Sequence, residues 1–334
     1  MELYGIKYLK NVKYANKKFY IDKTINNDIE DIDLYLDNYS FDNYENITCE
    51  KVYDTNPILY CKTLHSCFAH AVVDVLFALY WAIQDINSQY KEKRNFTIFI
   101  REREYKLYPK NNYPLFDNNK NKLKGAWNDL LSSITNNDMI FEHTLKPNTS
   151  FLIKDLYIYI INDNCQRSPY NCIDYYPERN IKIKDVVFSD DILVPMLEKF
   201  TSHIKTHFNI PLKITNTKKN IIIINRKDNR KINNIDNLIK SINKEKYNYK
   251  GVLYLEDLSL KQQIEIFIMN DIIVSPHGAG LIHIIWGKNN HIIEITKKDK
   301  ENRMYQRICN VTNNKLTQIH KDNENHLINF ISNI

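Results

Sequence analysis

One short segment of the C-terminal half combines residue types that could bind an anion. Ser275-Pro-His-Gly-Ala-Gly-Leu281 places Gly278 and Gly280 where a predicted strand passes into a predicted helix, and the 334-residue chain has only six glycines. Glycine allows a backbone to approach a ligand closely, and the amides at the start of a helix attract a phosphate group. The segment therefore predicts an anion-binding loop, with tight packing of helix on strand as the alternative.

Polar residues also accompany the neighbouring predicted strands. Arg226 and Arg230 follow one strand, Glu256 follows the next, His277 follows a third, and Glu294 lies within a fourth. Ligands of open α/β sheets bind beyond the carboxyl ends of the strands. Arginine stays charged and donates paired hydrogen bonds to phosphate, so we predict that both arginines bind a diphosphate. Glu294 is predicted to accept hydrogen bonds from ribose hydroxyls, with an ion pair to a nearby Lys or Arg as the alternative.

The glycine spacing disfavours two other kinds of nucleotide site. A GxGxxG dinucleotide fingerprint needs glycine at position 283, where the chain has His283, and it normally opens the first strand–helix unit. This argues against a nicotinamide-dependent oxidoreductase. The sequence also lacks a phosphate-binding loop that ends in Gly-Lys-Ser or Gly-Lys-Thr. His283 is predicted either to contact the ligand or to pack beside the loop.

The elements that would position these residues alternate regularly from about residue 220 onward. The predicted strands are Ile221–Asn225, Val252–Leu255, Ile272–Ser275, His291–Ile295 and Leu316–Ile319. The predicted helices are Ile235–Ile242, Ser259–Met269, which opens with Ser259 and Gln262 in capping-box spacing, and Gly280–Trp286, which ends at Gly287. Gln263 is predicted to be structural. The alternation predicts a parallel sheet covered by helices, which is a Rossmann-like lobe.

The first half mixes strands and helices less regularly. The predicted strands are Gly5–Lys10, Phe96–Ile100 and Phe151–Ile161, the predicted helices are Cys67–Ile83 and Trp127–Ile134, and the predicted loops are Asn111–Asn121 and Asn162–Pro177. We predict an N-terminal lobe over residues 1–190 and a C-terminal lobe over residues 191–334, joined by a helix from Asp191 to Phe208. The last helix is expected on its own lobe or packed back on the N-terminal lobe.

As an ordered set, these residues resemble the signature of glycosyltransferase family 61. The resemblance covers about residues 221–296 through Arg226-Lys-Asp-Asn-Arg230, Asn234, Leu255-Glu256, Gln263, Ser275–Leu281 and Ile293-Glu-Ile295. It implies a GT-B type α/β fold, with two Rossmann-like lobes facing a cleft. It also implies inverting transfer of xylose or N-acetylglucosamine from a UDP-sugar donor to a hydroxyl of a glycan or glycoprotein acceptor. The alternative is a non-catalytic nucleotide-sugar or glycan-binding protein of the same fold.

The predicted donor-binding residues lie in the C-terminal lobe. They are Arg226, Arg230, Glu256, His277, Gly278, Ala279, Gly280, Leu281, His283 and Glu294.

The predicted catalytic residues lie in the N-terminal lobe. The run from Phe68 to Tyr80 is similar to the helix of that family that carries a histidine and an acidic residue. On an α-helix, His70 and Asp74 would share a face, so Asp74 could orient the imidazole while His70 accepts the proton of an acceptor hydroxyl. A histidine packed within the lobe interface is the alternative reading.

No metal ion and no cofactor are expected, because arginines and helix amides would neutralise the phosphates. The Asp-x-Asp sequence at Asp31 and Asp33 has the form of a metal motif, but it lies in an acidic stretch that predicts a solvated loop. The six cysteines are expected to be buried free thiols, and a disulfide between Cys165 and Cys172 is the alternative.

Charge and hydropathy restrict the partners further. The net charge of +6 comes from dispersed lysines in a composition rich in Asn, Ile, Lys and Tyr, which an AT-rich genome, viral or unicellular, would favour. No nucleic-acid partner is therefore predicted. No signal peptide and no apolar stretch of membrane-spanning length is visible, so a cytoplasmic location is expected. The oligomeric state is left open by the sequence.

Overall fold

The computed structural model of the chain describes residues 6–27, 36, 38–61, 71–101, 126–137, 139–159, 190–214, 217–228, 230–296, 303–321 and 324–334. These residues form two compact units, one within residues 6–159 and the other within residues 190–334. Both units combine helices and strands, so the chain is α/β as expected. The boundary near residue 190 stays a prediction, because residues 160–189 and both predicted loops lie outside the described residues. In the described ranges, no helix is long and apolar enough to cross a membrane.

The first unit contains an eight-stranded mixed sheet. Its strands are β1 (Ile6–Ala15), β2 (Lys18–Tyr20), β3 (Tyr39–Ser40), β4 (Lys51–Tyr53), β5 (Ile58–Cys61), β6 (Thr97–Ile100), β7 (Ile140–Phe141) and β8 (Ser150–Tyr159). The strand order is β3-β2-β1-β8-β5-β6-β7, and β4 also pairs with β8. Strands β8, β5, β6 and β7 are parallel, whereas β1 pairs antiparallel with both β2 and β8. The antiparallel pairing of β1 departs from the all-parallel sheet that a Rossmann-like lobe predicts.

Aromatic packing shows that this sheet is curled. The Tyr14 ring of β1 stacks on Phe151 of β8 with ring centroids 4.8 Å apart, and it meets the edge of Phe99 of β6 at 5.4 Å. Strands β1 and β6 are not neighbours in the sheet, so only a curled sheet brings these rings together. The enclosed face forms the core of the first unit, where Tyr14, Phe99 and Phe151 are at most 2% exposed.

Two helices of the first unit match predicted ones. Residues Ala71–Leu76 form π-helical turns, and α1 continues over Phe77–Ser88. The predicted helix is thus confirmed from residue 71 and extends beyond its predicted end at Ile83, whereas residues 67–70 lie outside the described residues. Helix α2 covers Ala126–Ile134, one residue longer than predicted.

The second unit contains a five-stranded parallel sheet. Its strands are β9 (Lys219–Asn225), β10 (Tyr247–Tyr254), β11 (Ile272–Pro276), β12 (His291–Thr296) and β13 (Lys315–His320), in the order β10-β9-β11-β12-β13. All five correspond to predicted strands. The isoleucine-rich sequences of the three central strands β9, β11 and β12 reflect burial on both faces of a parallel sheet, and Ile221, Ile223 and Ile293 are fully buried.

The helices of the second unit pack on this sheet. They are α3 (Asp190–His207), α4 (Ile235–Ser241), α5 (Leu260–Met269), α6 (Arg303–Val311) and α7 (Glu324–Asn333). The predicted capping box is present at the start of α5, where Ser259 and Gln262 satisfy each other's backbone amides. The last helix, α7, packs against α4 and β13.

The predicted helix after β11 has a different geometry from an ordinary α-helix. Residues Ala279–Trp286 form a 3₁₀ helix, in which the amide of Leu281 donates to the carbonyl of Gly278 at 3.0 Å. It ends at Gly287, whose amide donates to Ile284, as the sequence predicts. Because a 3₁₀ helix has fewer residues per turn than an α-helix, the helix that follows Gly278 is narrower than the predicted α-helix.

Candidate functional site

The candidate site lies at the carboxyl edge of β9 and β11 in the second unit. The chain order of the sheet reverses here, because β10 lies on one side of β9 and β11 on the other. Such a reversal leaves a crevice outside the carboxyl ends of the two strands, and it is where open α/β sheets bind ligands. Arg226 directly follows β9, and His277 directly follows β11. The sequence prediction and the topology therefore select the same edge.

Asp228 holds the two predicted phosphate-binding arginines. Its Oδ1 accepts from Nε of Arg226 at 3.1 Å, its Oδ2 accepts from Nη2 of Arg226 at 2.7 Å, and Nη2 of Arg230 lies 3.5 Å from Oδ2. The hydrogen bonds from Arg226, and secondarily the amide and charge of Arg230, lower the pKa of the Asp228 carboxyl well below its usual range. Asp228 is thus an anion that orients both guanidinium groups. Its role is not predicted from the sequence, although it lies within the Arg226–Arg230 motif.

Asn225 shapes the loop that carries these residues. It is the last residue of β9, it is buried, and its Oδ1 accepts from the amides of Arg226 at 2.9 Å and Ile232 at 2.8 Å. These two bonds hold Arg226 and Ile232 close to the end of β9. The loop is therefore tied at both ends to a single buried side chain.

Gly278 makes room for Arg226. A Cβ atom at Gly278 would lie 2.1 Å from Nη1 of Arg226 and 3.8 Å from Nη1 of Arg230. The Gly278 backbone is extended, with φ 168°, so the need for glycine comes from this close approach and not from its backbone conformation. The first of the two glycines therefore lets a guanidinium group lie across the loop, and the side chains of both arginines lie near Gly278.

The two ends of the glycine segment are fixed by the protein. The Gly278 carbonyl accepts a 2.6 Å hydrogen bond from Oη of Tyr305, a buried residue of α6 that the sequence analysis did not select. Ala279 and Gly280 are half-buried. Leu281 is buried and its amide is used within the 3₁₀ helix, which corrects the prediction that it contacts a ligand. The anion contacts predicted for Ala279 and Gly280 stay predictions.

His277 is held by a buried carboxylate. Its Nδ1 lies 2.5 Å from Oε1 of Glu294, and Oε2 of Glu294 accepts from Nε2 of Gln318 at 2.8 Å. The Glu294 side chain is 0% exposed, whereas the His277 side chain is 36% exposed. Glu294 therefore orients His277. Its full burial argues against the predicted direct contact with a ribose, and it makes no ion pair with a Lys or Arg among the described residues. Gln318 was missed because it comes opposite Glu294 only in the register of β12 and β13.

His283 belongs to a buried network beneath the site. Its Nδ1 accepts from Nε1 of Trp286 at 2.9 Å, so its Nε2 carries the proton and donates to Oε1 of Gln263 at 2.8 Å. Burial lowers the pKa of His283 to about 3, so the ring is neutral at ordinary pH. The side chain is 0% exposed, which corrects the predicted ligand contact in favour of the packing alternative. The Trp286 ring also packs on Phe200 of α3.

Gln263 connects this hydrogen-bond network to the loop that carries Glu256. Its Nε2 donates to the carbonyls of Leu255 at 2.9 Å and Leu258 at 3.0 Å, which border the 3₁₀ turn Leu255–Asp257. Glu256 is exposed there, and its Oε1 accepts from the amide of Lys227 at 3.1 Å. The structural role predicted for Gln263 is confirmed. Glu256 thus joins the loop after β10 to the loop after β9 that carries Arg226 and Arg230, which we call the arginine loop.

The predicted catalytic pair is described only in part. His70 lies outside the described residues, and for Asp74 the structure describes the backbone, which is within the π-helical turns. Their roles stay predictions. Asp31, Asp33, Cys165 and Cys172 also lie outside the described residues.

The cysteines that the structure describes are free thiols. Cys309 is a buried free thiol as predicted, and burial raises its pKa to about 12. Cys49 is free and half-buried. Across the residues that the structure describes, no group of three or more His, Cys, Asp or Glu side chains could hold a metal ion.

Comparison with known proteins extends the match from the site to most of the chain. The family model described as Glycosyltransferase 61 matches residues 68–293, a range that includes the predicted catalytic helix and all of the predicted donor-binding residues except Glu294. No curated protein matches the chain in sequence. Because the matched range exceeds half of the 334 residues and carries the arginine loop and the glycine segment in order, the chain belongs to the glycosyltransferase 61 family.

Proposed function

We propose that this glycosyltransferase is an inverting enzyme of the GT-B type that transfers a sugar from a UDP-sugar to a hydroxyl of a glycan or glycoprotein. The observation that carries the proposal is the convergence of Arg226, Arg230 and the Gly278 segment at the switch point of a parallel sheet. Family membership implies a nucleotide-sugar donor and a glycan acceptor. Xylose and N-acetylglucosamine are the sugars we propose first.

The arginine loop would bind the diphosphate and stabilise its departure. Charge accumulates on the diphosphate as the bond to the sugar breaks, and fixed positive groups at that position lower the barrier. Asp228 already orients the donors of Arg226, so little side-chain entropy is lost when the ligand binds. The amides of Ala279 and Gly280, at the start of the 3₁₀ helix, would add neutral donors to the same oxygens. His277, fixed by Glu294, supplies a further polar group at this edge.

The acceptor hydroxyl needs a base, and His70 is proposed for that role with Asp74 orienting its ring. Direct attack of the deprotonated hydroxyl on the sugar would invert its anomeric configuration in a single displacement. Since the arginines supply the positive charge, we propose that the reaction needs no metal ion.

The test measures UDP release and product configuration with UDP-xylose and UDP-N-acetylglucosamine as donors. Replacing Arg226→Ala removes charged hydrogen bonds worth about 1.5–3 kcal/mol each, so UDP affinity should fall at least tenfold. The matched control is Lys227→Ala, which removes the adjacent cation, a side chain that is 57% exposed and paired with Asp257. UDP affinity that is equal in both variants would contradict the proposed role of the arginine loop.

Replacing His70→Ala tests the acceptor side. We expect turnover to fall by roughly a hundredfold or more while UDP affinity stays unchanged, because general-base catalysis contributes about that factor. Full turnover in the variant would remove His70 from the role of base. UDP binding by the wild type without any transfer would favour the non-catalytic alternative.

A further inference from the structure

The first unit contains two clusters that each consist of one tyrosine, one carboxylate and one arginine. Their arginines lie at opposite ends of β6. The carboxyl-edge cluster consists of Tyr14, Glu142 and Arg101, and Arg101 directly follows β6. The amino-edge cluster consists of Tyr8, Asp155 and Arg94, and Arg94 precedes β6 by three residues. The two clusters share their chemistry and differ in their place on the sheet.

The carboxyl-edge cluster is anchored to three strands. Arg101 donates its amide to the carbonyl of Cys61, the last residue of β5, at 3.0 Å, and Glu142 follows the last residue of β7. Oε1 of Glu142 accepts from Oη of Tyr14 at 3.0 Å, and Oε2 lies 3.3 Å from Nε of Arg101. The Arg101 and Glu142 side chains are 18% and 10% exposed. The charges are therefore fixed in position and retain a small accessible surface.

The amino-edge cluster places the same three kinds of side chain at the opposite edge of the parallel strands. Oδ2 of Asp155 lies 2.5 Å from Nη2 of Arg94, and Oδ1 accepts from Oη of Tyr8 at 2.5 Å. Burial opposes ionisation of Asp155, but the hydrogen bonds from Tyr8 and Arg94 outweigh it and lower the pKa of the carboxyl. This pair is somewhat more exposed, at 23% and 24%.

The two clusters differ in which edge of the sheet they occupy. Parallel α/β sheets bind ligands at the carboxyl ends of their strands, and β5, β6 and β7 all end at the edge where Arg101 and Glu142 lie. The chain that carries the proposed base also leaves this edge, at Cys61.

We propose that Arg101 and Glu142 form a subsite that binds hydroxyl groups of the acceptor glycan. A carboxylate offers about four lone-pair positions, and the contacts to Tyr14 and Arg101 use two of them, so Glu142 can accept further hydrogen bonds from sugar hydroxyls. Arg101 fixes the orientation of that carboxylate through the contact of its Nε with Oε2. The subsite deepens the proposed function and rests on it, because its ligand is the acceptor of that transfer.

The experiment compares Glu142→Gln with Asp155→Asn in the full-length chain. Each change removes one carboxylate charge from a Tyr–carboxylate–Arg cluster, so the pair is matched in chemistry. The probes are the methyl glycosides of xylose, glucose, galactose and mannose, whose binding is measured by saturation-transfer NMR, with UDP affinity measured in parallel. We expect Glu142→Gln to weaken the binding of the preferred glycoside about tenfold or more, and Asp155→Asn to leave it within about twofold.

Each outcome decides the proposal. Equal glycoside affinity in Glu142→Gln and the wild type would overturn it, as would equal losses in both variants or the absence of glycoside binding by the wild type. If Glu142→Gln does not fold, Arg101→Lys takes its place, because lysine keeps the charge but lacks the planar guanidinium group. Failure of UDP to bind the wild type would refute the proposed donor. The glycoside measurement does not depend on UDP, so it would still test the subsite.

Discussion

At the residue scale, the contact between Gly278 and Arg226 makes a specific prediction. A Gly278→Ala change should displace the Arg226 guanidinium, because the new Cβ would lie 2.1 Å from Nη1, without straining a backbone that is already extended. We expect UDP affinity to fall roughly tenfold while the melting temperature changes little, since loss of a charged hydrogen bond costs about 1.5–3 kcal/mol. Isothermal titration with UDP measures the effect.

Two controls isolate this effect. Gly251→Ala should do the reverse, because Gly251 has φ +106° and no atom lies within 4 Å of the added Cβ, so the change strains the backbone and touches nothing. It should cost stability by roughly 1–2 kcal/mol and leave UDP affinity unchanged. In an Arg226→Ala background, Gly278→Ala should have no further effect on UDP affinity. An additional loss there would show that Gly278 does not act through Arg226.

The buried imidazole of His283 predicts how stability depends on pH. Its pKa is about 3 in the folded protein, against 6.5 for an exposed histidine, so between these values only the unfolded chain takes up the proton. The neutral His283 ring contributes fully to the free energy of unfolding above about pH 6.5. This contribution is lost progressively as the pH falls toward 3, by about 1.4 kcal/mol per pH unit. His291, whose pKa burial lowers to about 4, adds a contribution of the same sign.

Urea unfolding of the wild type and of His283→Gln over this pH range tests the assignment. The wild type should lose more stability on acidification than the variant, because glutamine does not titrate. Removing His291 instead should flatten the curve only above about pH 4. Parallel curves for wild type and His283→Gln would refute the assignment.

At the scale of elements, two adjacent glutamines of α5 serve different structures. Gln263 joins buried His283 to the carbonyls of Leu255 and Leu258, whereas Gln262 completes the exposed capping box. Gln263→Leu should destabilise the second unit by about 1–3 kcal/mol and loosen the turn that carries Glu256, because it leaves buried polar groups without partners. Gln262→Ala should cost only about 0.5–1 kcal/mol. Chemical denaturation of the two variants measures both values, and equal losses would refute the distinction.

Elements also show which parts of the fold were predictable from sequence. The strands of the second unit were found because isoleucine runs such as Ile221–Ile224 signal a strand buried on both faces. The curled first sheet was not found, because its longest pairing joins Ile6 to Tyr159, and no local pattern encodes such a distant contact. Whether Ala279–Trp286 forms an α-helix or a 3₁₀ helix likewise depends on packing that a sequence pattern does not contain.

The site was predictable where position along the chain was enough. Arg226, Arg230 and Gly278 follow strand ends, and the structure brings them together. Glu294 and His283 were assigned to the ligand because their residue types suit one, but burial decides their roles, and burial depends on neighbouring strands and helices. Glu294, for example, is enclosed by the register that sets Gln318 opposite it.

At the scale of the whole molecule, the proposed reaction takes its positive charge from arginine side chains. We therefore predict that EDTA leaves UDP-sugar turnover unchanged within about twofold, and that Mn²⁺ or Mg²⁺ does not increase it. The assay is UDP release before and after chelation. Loss of turnover in EDTA that Mn²⁺ or Mg²⁺ restores would contradict the metal-independent mechanism.

The buried Trp286 gives the second unit an optical signal of its own. The chain has three tryptophans, and the other two, Trp81 and Trp127, belong to helices of the first unit. A chain with both of these changed to phenylalanine would emit only from Trp286, whose indole donates to a neutral imidazole and is shielded from water. Its fluorescence would report the exposure of Trp286 to water, and so the unfolding of the second unit alone.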